Sequence, residues 1–314
     1  MKKIFCIGEL LIDFIAENQG NDLSKAKEFS KKAGGAPANV SCAISKLGGD
    51  SIFIGCVGND PFGTFLLRIL ENEKVDISLV QKSDTFTTLA FVSLDEDGER
   101  DFVFSRGADR ELVYDSSNKS NFKNNILHFG AATALLGGSL EEAYSRYLFD
   151  GLTKNAFISF DPNYRVDLWE DKIAAFKRKC ETFIGKSHLC KFSLEEAQLL
   201  SGKDDVKEAC KVLHEMGAEI IVITLGSEGT WLSTKKFQKK IPSIKVTPKD
   251  TTGAGDAFIG CLLQQIANHS SIDELLEDES ILTSMVTRAN KAGAITTTNF
   301  GAIESLPTLQ QLDS

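Results

Sequence analysis

Short runs rich in β-branched and aromatic residues alternate along this chain with longer segments of helical period, and that alternation limits the fold to one class. Lys3 to Ile7, Ser51 to Val57, Ile126 to Phe129, Ala156 to Phe160, His188 to Lys191 and Glu219 to Thr224 read as buried strands. Pro37 to Leu47 and Pro61 to Glu73 read as helices, each opened by a proline, the first followed by Gly48-Gly49. Further helical stretches lie near 139–154, 170–184, 194–201 and 204–216. Strands alternating with helices build βαβ units. The expected fold is therefore α/β: a doubly wound, mostly parallel sheet with helices on both faces. Ligands of such sheets sit at the carboxyl ends of the strands.

Two stretches break the pattern. Leu11 to Lys32 and Thr85 to Phe104 read as extended pairs joined by polar turns, with Asp95-Glu96-Asp97-Gly98 as a hairpin tip. Their alternation predicts a small antiparallel sheet covered on one side, either a plain surface hairpin or a lid over a site. No Pro/Gly/Ser linker, repeat or low-complexity tract interrupts the 314 residues. The expectation is one domain over 1–314, with lid strands inserted at about 11–32 and 85–104.

Charge and thiols narrow the function classes. The net charge of -9 provides no footprint for nucleic acid or an anionic membrane, so neither is expected as a partner. Any anionic ligand must be held by a local device. The seven cysteines are odd in number, show no C-x-x-C spacing and sit mostly in apolar runs such as Phe5-Cys6-Ile7, which suits free thiols in a reducing cytoplasm. The four histidines are scattered and form no H-E-x-x-H, so no protein-ligated transition metal is expected. Gly8-Glu9 and Asp13 interrupt the apolar N-terminus and no 18-residue apolar run follows. A cytoplasmic location is the expectation.

The strongest local signal is Asp250-Thr251-Thr252-Gly253-Ala254-Gly255-Asp256-Ala257-Phe258, just before the apolar helical run Ala257 to Ile266. Gly253 and Gly255 let the backbone approach a ligand, and amides at a helix start hold an anion. Asp256 in the first turn would repel that anion unless it had a task, such as taking the proton of an attacking hydroxyl. Alone, the segment fits a glycine-rich helix start equally well. Gly34-Gly35-Ala36-Pro37-Ala38-Asn39-Val40 again pairs glycines with an amide side chain suited to sugar hydroxyls, or is a turn into a helix. Gly8-Glu9-Leu10-Leu11-Ile12-Asp13 brings a carboxylate to the end of the first strand, and Thr224-Leu225-Gly226-Ser227-Glu228-Gly229 follows an apolar strand. Gly185-Lys186-Ser187 lacks the glycine a P-loop needs at 180, where Cys180 stands, and no G-x-G-x-x-G or H-R-D loop is present.

Taken together, GGAPANVSCAISKLGG at 34–49 and DTTGAGDAF at 250–258 resemble the signatures of the ribokinase-like (PfkB) carbohydrate kinases, in the family's order. Gly58-Asn59-Asp60-Pro61-Phe62-Gly63, Asp161-Pro162-Asn163-Tyr164-Arg165 and TLGSEG at 224–229 extend the likeness over nearly the whole chain. The resemblance implies a doubly wound sheet with a β lid, and ATP-dependent phosphorylation of a primary sugar hydroxyl. It implies Asp256 as general base, and the backbone of Gly253, Ala254 and Gly255 as the anion hole. Asp13, Gly34, Gly35 and Asn39 match sugar-binding positions, and Arg106 and Arg165 match positions that approach substrate or phosphate. Lys191, Thr224, Gly226, Ser227, Gly229 and Asn290 match the nucleotide side, together with Gly253 and Gly255, and Gly293 to Gly301 match backbone around adenine. Glu196 matches the acidic end of an N-x-x-E motif for magnesium-linked waters, although Ser193 replaces the asparagine, a form that fructokinase-like members share. Asp250 and Thr252 match part of a monovalent-cation loop, usually potassium. Within the family, GGAPANV with DPNYR and Leu168-Trp169 is most similar to fructokinases. Kinases of 2-keto-3-deoxygluconate, ribose and aminoimidazole riboside share the frame, and a catalytically silent sugar sensor would share the fold. Phe91 and Val103 on the lid suit either a homodimer contact or a cover over the site.

Overall fold

The computed structural model describes residues 1–17, 22–94, 100–269 and 272–313. The first part of the chain forms β1 (Ile4–Ile7), β2 (Leu11–Ala16), β3 (Phe29–Gly34), α1 (Ala36–Lys46), β4 (Ser51–Ile54), β5 (Cys56–Gly58), α2 (Pro61–Asn72), β6 (Gln81–Ser83), β7 (Leu89–Leu94) and β8 (Arg100–Ser105). There follow β9 (Ile126–Gly130), α3 (Gly138–Thr153), β10 (Phe157–Asp161), α4 (Val166–Trp169), α5 (Ile173–Ile184), β11 (Leu189–Ser193), α6 (Leu194–Ser201), α7 (Val206–Met216) and β12 (Ile220–Thr224). The remainder holds β13 (Thr230–Thr234), β14 (Gln238–Ile241), α8 (Ala254–Ala267), α9 (Ile272–Glu277), α10 (Glu279–Thr296), α11 (Ala302–Ser305) and α12 (Leu309–Asp313).

The central sheet runs β14-β13-β12-β11-β10-β9-β1-β4. It is parallel from β4 through β12, as expected, and antiparallel at β13 and β14. Each parallel strand is apolar on both faces because each face is covered. Ile4 and Cys6 point to the layer of α1, α8 and α10, while Phe5 and Ile7 point to the layer of α3, α5 and α7. β12 alternates in the same way, with Ile220 and Val222 on one side and Ile221 and Ile223 on the other. All seven cysteines lie unpaired in these buried layers. No helix of the described residues is long and apolar enough to cross a membrane.

Two helices matter most for the site. α8 is apolar nearly all round because α1 and α10 pack against it. Gly260 makes the α1 contact close: a methyl group there would fall 2.6 Å from Ala43 Cβ and 3.1 Å from Val40 O.

Two expectations need adjusting, and one lies outside the described residues. The stretch Ser51 to Val57 is two strands, because the chain turns at Gly55 against Gly8 O and β5 leaves to pair with β6. The small sheet, β3-β2-β7-β8, is mixed rather than antiparallel: both hairpins are antiparallel, but they join through a parallel pair, Ile12 opposite Leu89. Both hairpins set out from the same edge of the central sheet, so their adjacent strands run the same way. The tip at 95–98 lies outside the described residues. On this sheet Phe14 and Phe91 stack at 5.3 Å, and Val103 is exposed.

Candidate active site

The parallel strands deliver Glu9, Gly130, Asp161, Ser193 and Thr224 to one edge of the sheet, and the starts of α1 and α8 face that edge. α8 begins after Gly253, whose φ of +78° lies in the left-handed region, and no side chain caps it. Asp256 therefore stands in the first turn, beside the positive end of the helix. Asn39, on α1, donates from Nδ2 to Asp256 Oδ2 at 2.8 Å. Burial pushes the Asp256 carboxyl up to about 6, against the pull of Asn39, Lys191 and Arg165. A half-buried carboxylate oriented by an amide, with its affinity for a proton raised, is suited to receive one from a hydroxyl.

Lys191 is buried in β11 and reaches the same helix start. Its Nζ lies 3.1 Å from where a methyl group on Gly255 would sit, and pairs with Asp161 Oδ2 at 2.9 Å. Glu196 is buried close by. One of its oxygens accepts from Ser193 N and the other from Tyr164 N, each at 2.7 Å, and Ser193 Oγ accepts from Glu196 N at 3.1 Å. Ser193 and Glu196 thus form a reciprocal cap on α6, which gives the serine a structural task. Burial pushes the Glu196 carboxyl up, opposed by Lys191.

Asp13, Gly34, Gly35 and Asn39, matched to sugar-binding positions, gather at the start of α1. A methyl on Gly34 would fall 2.0 Å from Asp13 Oδ2, so that carboxylate lies directly over the glycine. Gly35, at φ +108°, has Glu9 O where its Cβ would be, 2.4 Å away. Arg165 stands near this region, and its charge partly opposes the rise that burial gives Asp256 and Glu9. Arg106 is held by Asp109, with Nη2 to Oδ2 at 2.7 Å. Glu9 was readable only as part of a motif. It is buried, accepts from Ala36 N at 3.3 Å, and is pushed up to about 7 by burial. Nothing in a linear pattern separates such a carboxylate from an exposed one; the covering segments come from residues far along the chain. Asp161 was missed as a site residue for the same reason.

On the other side, Thr224 ends β12, and Gly226 to Gly229 form a tight turn into β13, closed by Leu225 N to Gly229 O at 2.8 Å. Ser227 is exposed there. Asn290 is buried in α10, and its amide is committed within the protein: Oδ1 accepts from Thr230 Oγ1 at 2.6 Å and Nδ2 donates to Ile241 O at 3.1 Å. It fastens β13 and β14 to α10 rather than presenting its side chain at the site. Gly293 packs against Ala254 O, while 297–301 follow α10 as a turn. Asp250 ties that turn to the α8 loop: Oδ1 accepts from Thr252 N and Oγ1, and Oδ2 from Gly301 N at 2.9 Å.

Among the described residues, no three His, Cys, Asp or Glu side chains converge as a metal cage. The donors present are oxygens: Glu196, with lone pairs left for water, and Asp250 with Thr252 beside the Thr297 carbonyl. That set fits hard cations held partly through water and phosphate.

Residues 1–309 match the pfkB family of carbohydrate kinases. Fructokinase-1 of Zea mays is 39% identical over 310 residues, which cover 97% of this chain and 94% of that protein. The crystal structure of fructokinase with bound ATP from Xylella fastidiosa superposes with a TM-score of 0.87 at 28% identity, covering 99% of this chain and 96% of the other. A double mutant of Vibrio cholerae O395 fructokinase, bound to fructose, ADP and potassium ion, gives 0.86 at 29%, covering 100% and 97%.

Proposed function

The chain belongs to the pfkB family of carbohydrate kinases, and from that premise we propose that it transfers the γ-phosphoryl group of ATP to a primary hydroxyl of fructose. The observation that carries the chemistry is Asp256: a half-buried carboxylate with a raised proton affinity, oriented by Asn39, in the uncapped first turn of α8. Fructose is supported as the acceptor, over ribose, 2-keto-3-deoxygluconate or aminoimidazole riboside, by likeness to fructokinases along nearly the whole chain, one of them holding fructose and ADP.

In this reading, Asp13, Gly34, Gly35 and Asn39 hold the sugar, with Arg165 close by. Asp256 takes the proton of the attacking hydroxyl as its oxygen bonds to phosphorus and ADP leaves. The Gly255 amide, with the Lys191 ammonium, faces the charge that grows on the equatorial oxygens; the Ala254 amide donates to Thr251 O at 3.3 Å. Thr224, Gly226, Ser227 and Gly229 border the nucleotide. Glu196 would help hold magnesium through waters, and the ion would supply neutralisation of phosphate charge; Asp250 and Thr252 are suited to hold potassium. The four-stranded sheet excludes water from the sugar and so limits ATP hydrolysis. Seven unpaired, buried thiols support a reducing, cytoplasmic setting.

An assay of ATP consumption over these four sugars, with and without potassium, tests the proposal. The expected outcome is the highest kcat/KM with fructose. Turnover confined to another sugar would move the acceptor and keep the chemistry; no sugar-dependent consumption would overturn it.

A further inference from the structure

Lys191 stands where a lysine is electrostatically misplaced. Its ammonium lies against the first turn of α8, whose amides form the positive end of the helix dipole. Its side chain is only 8% exposed, so water does little to stabilise the charge. Among the described residues Lys191 pairs with Asp161, at 2.9 Å, through a carboxylate 1% exposed. Asp161 is itself fixed: it ends β10 next to β11, and its Oδ1 accepts from Asn163 N at 3.3 Å in a turn where Asn163 adopts φ +45°. Asp161 is thus held in the sheet while the Lys191 ammonium reaches the helix start.

We propose that Asp161 is a positioning residue for phosphoryl transfer, whose buried carboxylate pins the Lys191 ammonium beside the first turn of α8, where the transferring phosphoryl group is received. This rests on the reading of α8 as the site of transfer. Asp161 touches neither substrate nor phosphate; it acts through Lys191. Removing the carboxylate leaves a cation buried against a helix N-terminus, and two results follow: the side chain reorients, and it sheds its proton more readily.

The groups facing Lys191 come from four elements. Asp161 on β10, Glu196 on α6 and Asp256 on α8 favour the charged form, while burial opposes it; the net effect is a proton held more tightly than usual. His128 on β9 is neutral, pushed down to about 4 by burial. Asp161 is first among the favourable groups, so its loss shifts the balance toward deprotonation as pH rises.

The test is a cycle of Asp161→Asn, Lys191→Met and the double variant, with ATP and fructose from about pH 6 to about pH 10. Asp161→Asn should lower kcat by about tenfold or more at neutral pH and bring in an alkaline loss of activity that the unmodified enzyme lacks, with KM for fructose within about threefold of normal. Lys191→Met should be at least as impaired. The double variant should be no worse than Lys191→Met, because the carboxylate has nothing left to position, and should regain thermal stability lost by Asp161→Asn. If Lys191→Met is inactive but Asp161→Asn keeps a normal kcat and pH profile, the proposal fails and the site assignment stands. If the two losses multiply in the double variant, Asp161 acts independently and the proposal also fails. A fully active Lys191→Met would overturn both it and the assignment of Lys191 beneath it.

Discussion

The starts of α1 and α8 make an instructive pair. Each follows a glycine in the left-handed region, Gly35 at +108° and Gly253 at +78°, and in neither does the capping residue supply a side-chain bond. They differ in what meets the exposed amides. At α1, a buried carboxylate from the end of β1 accepts from the first helical residue, Glu9 Oε1 from Ala36 N. At α8, no carboxylate caps the turn; a lysine lies beside it, and Asp256 turns toward Asn39 instead. One helix start is closed by one of the protein's own carboxyl groups. The other has no side-chain cap and a cation beside it, and its Gly255 amide lies open toward an incoming phosphate group. The lesson is that glycine-opened helix starts are not equivalent. What distinguishes them is the buried charge placed opposite by another part of the chain.

The comparison is broken most directly at Asp256. Asp256→Asn keeps the shape and the partner Asn39 but cannot take a proton, so kcat should fall by about 10²- to 10⁴-fold while sugar and ATP still bind. Steady-state kinetics with titrations of each substrate check this; a near-normal kcat would remove α8 from the chemistry.

Next in size is a pair of alanine substitutions. At Gly253 a methyl would be strained by φ and would meet Ala302 Cβ at 2.9 Å; at Gly35 it would meet the Glu9 carbonyl at 2.4 Å. Each should cost about 1–3 kcal/mol of stability, Gly35→Ala more, because a backbone oxygen yields less than a methyl group. Gly253→Ala should raise KM for ATP, and Gly35→Ala that for the sugar. Thermal melts and separate KM determinations would show the contrast to be false if both variants raised the same constant.

A third effect is read as stability against pH. Burial raises the Glu9 carboxyl from 4.5 to about 7. Because the folded value is the higher one, the protonated form's contribution is complete below about 4.5 and is lost as pH rises through about 7. Glu9→Gln does not ionise. Its stability relative to the unmodified protein should therefore improve between about pH 5 and about pH 8, by up to about 3 kcal/mol. Denaturant unfolding at both pH values decides it; a constant difference would mean that Glu9 does not titrate in this range.

What the sequence made legible follows from where the information resides. The parallel strands and their helices could be read because burial on both faces leaves continuous apolar runs and helical periods. The edge pair β13 and β14 and helix α10 could not. Gln238-Lys239-Lys240 is polar on both sides of its strand, and α10 mixes Thr, Ser, Asn and Ala around its circumference. The turn at Gly55 was hidden because the obstacle, Gly8 O, lies 47 positions earlier in the chain. At the site, Asp256, Asn39 and the glycines announced themselves by local spacing. Asp161, the tie between Ser193 and Glu196, and the inward commitment of Asn290 depend on partners brought together only by the sheet.

The close approach at Gly260 has a consequence for tolerance. Gly260 lies four residues beyond Asp256 on α8 and meets Val40 and Ala43, one and four residues beyond Asn39 on α1. The pivot between the two helices is thus about one turn, roughly 5.4 Å, from the contact they hold. On so short a lever arm, a tilt of about 5° displaces the Asn39–Asp256 pair by only about 0.5 Å, near the limit within which a catalytic constellation remains productive. Two residues 217 positions apart in the chain are held together by a helix contact about one turn away.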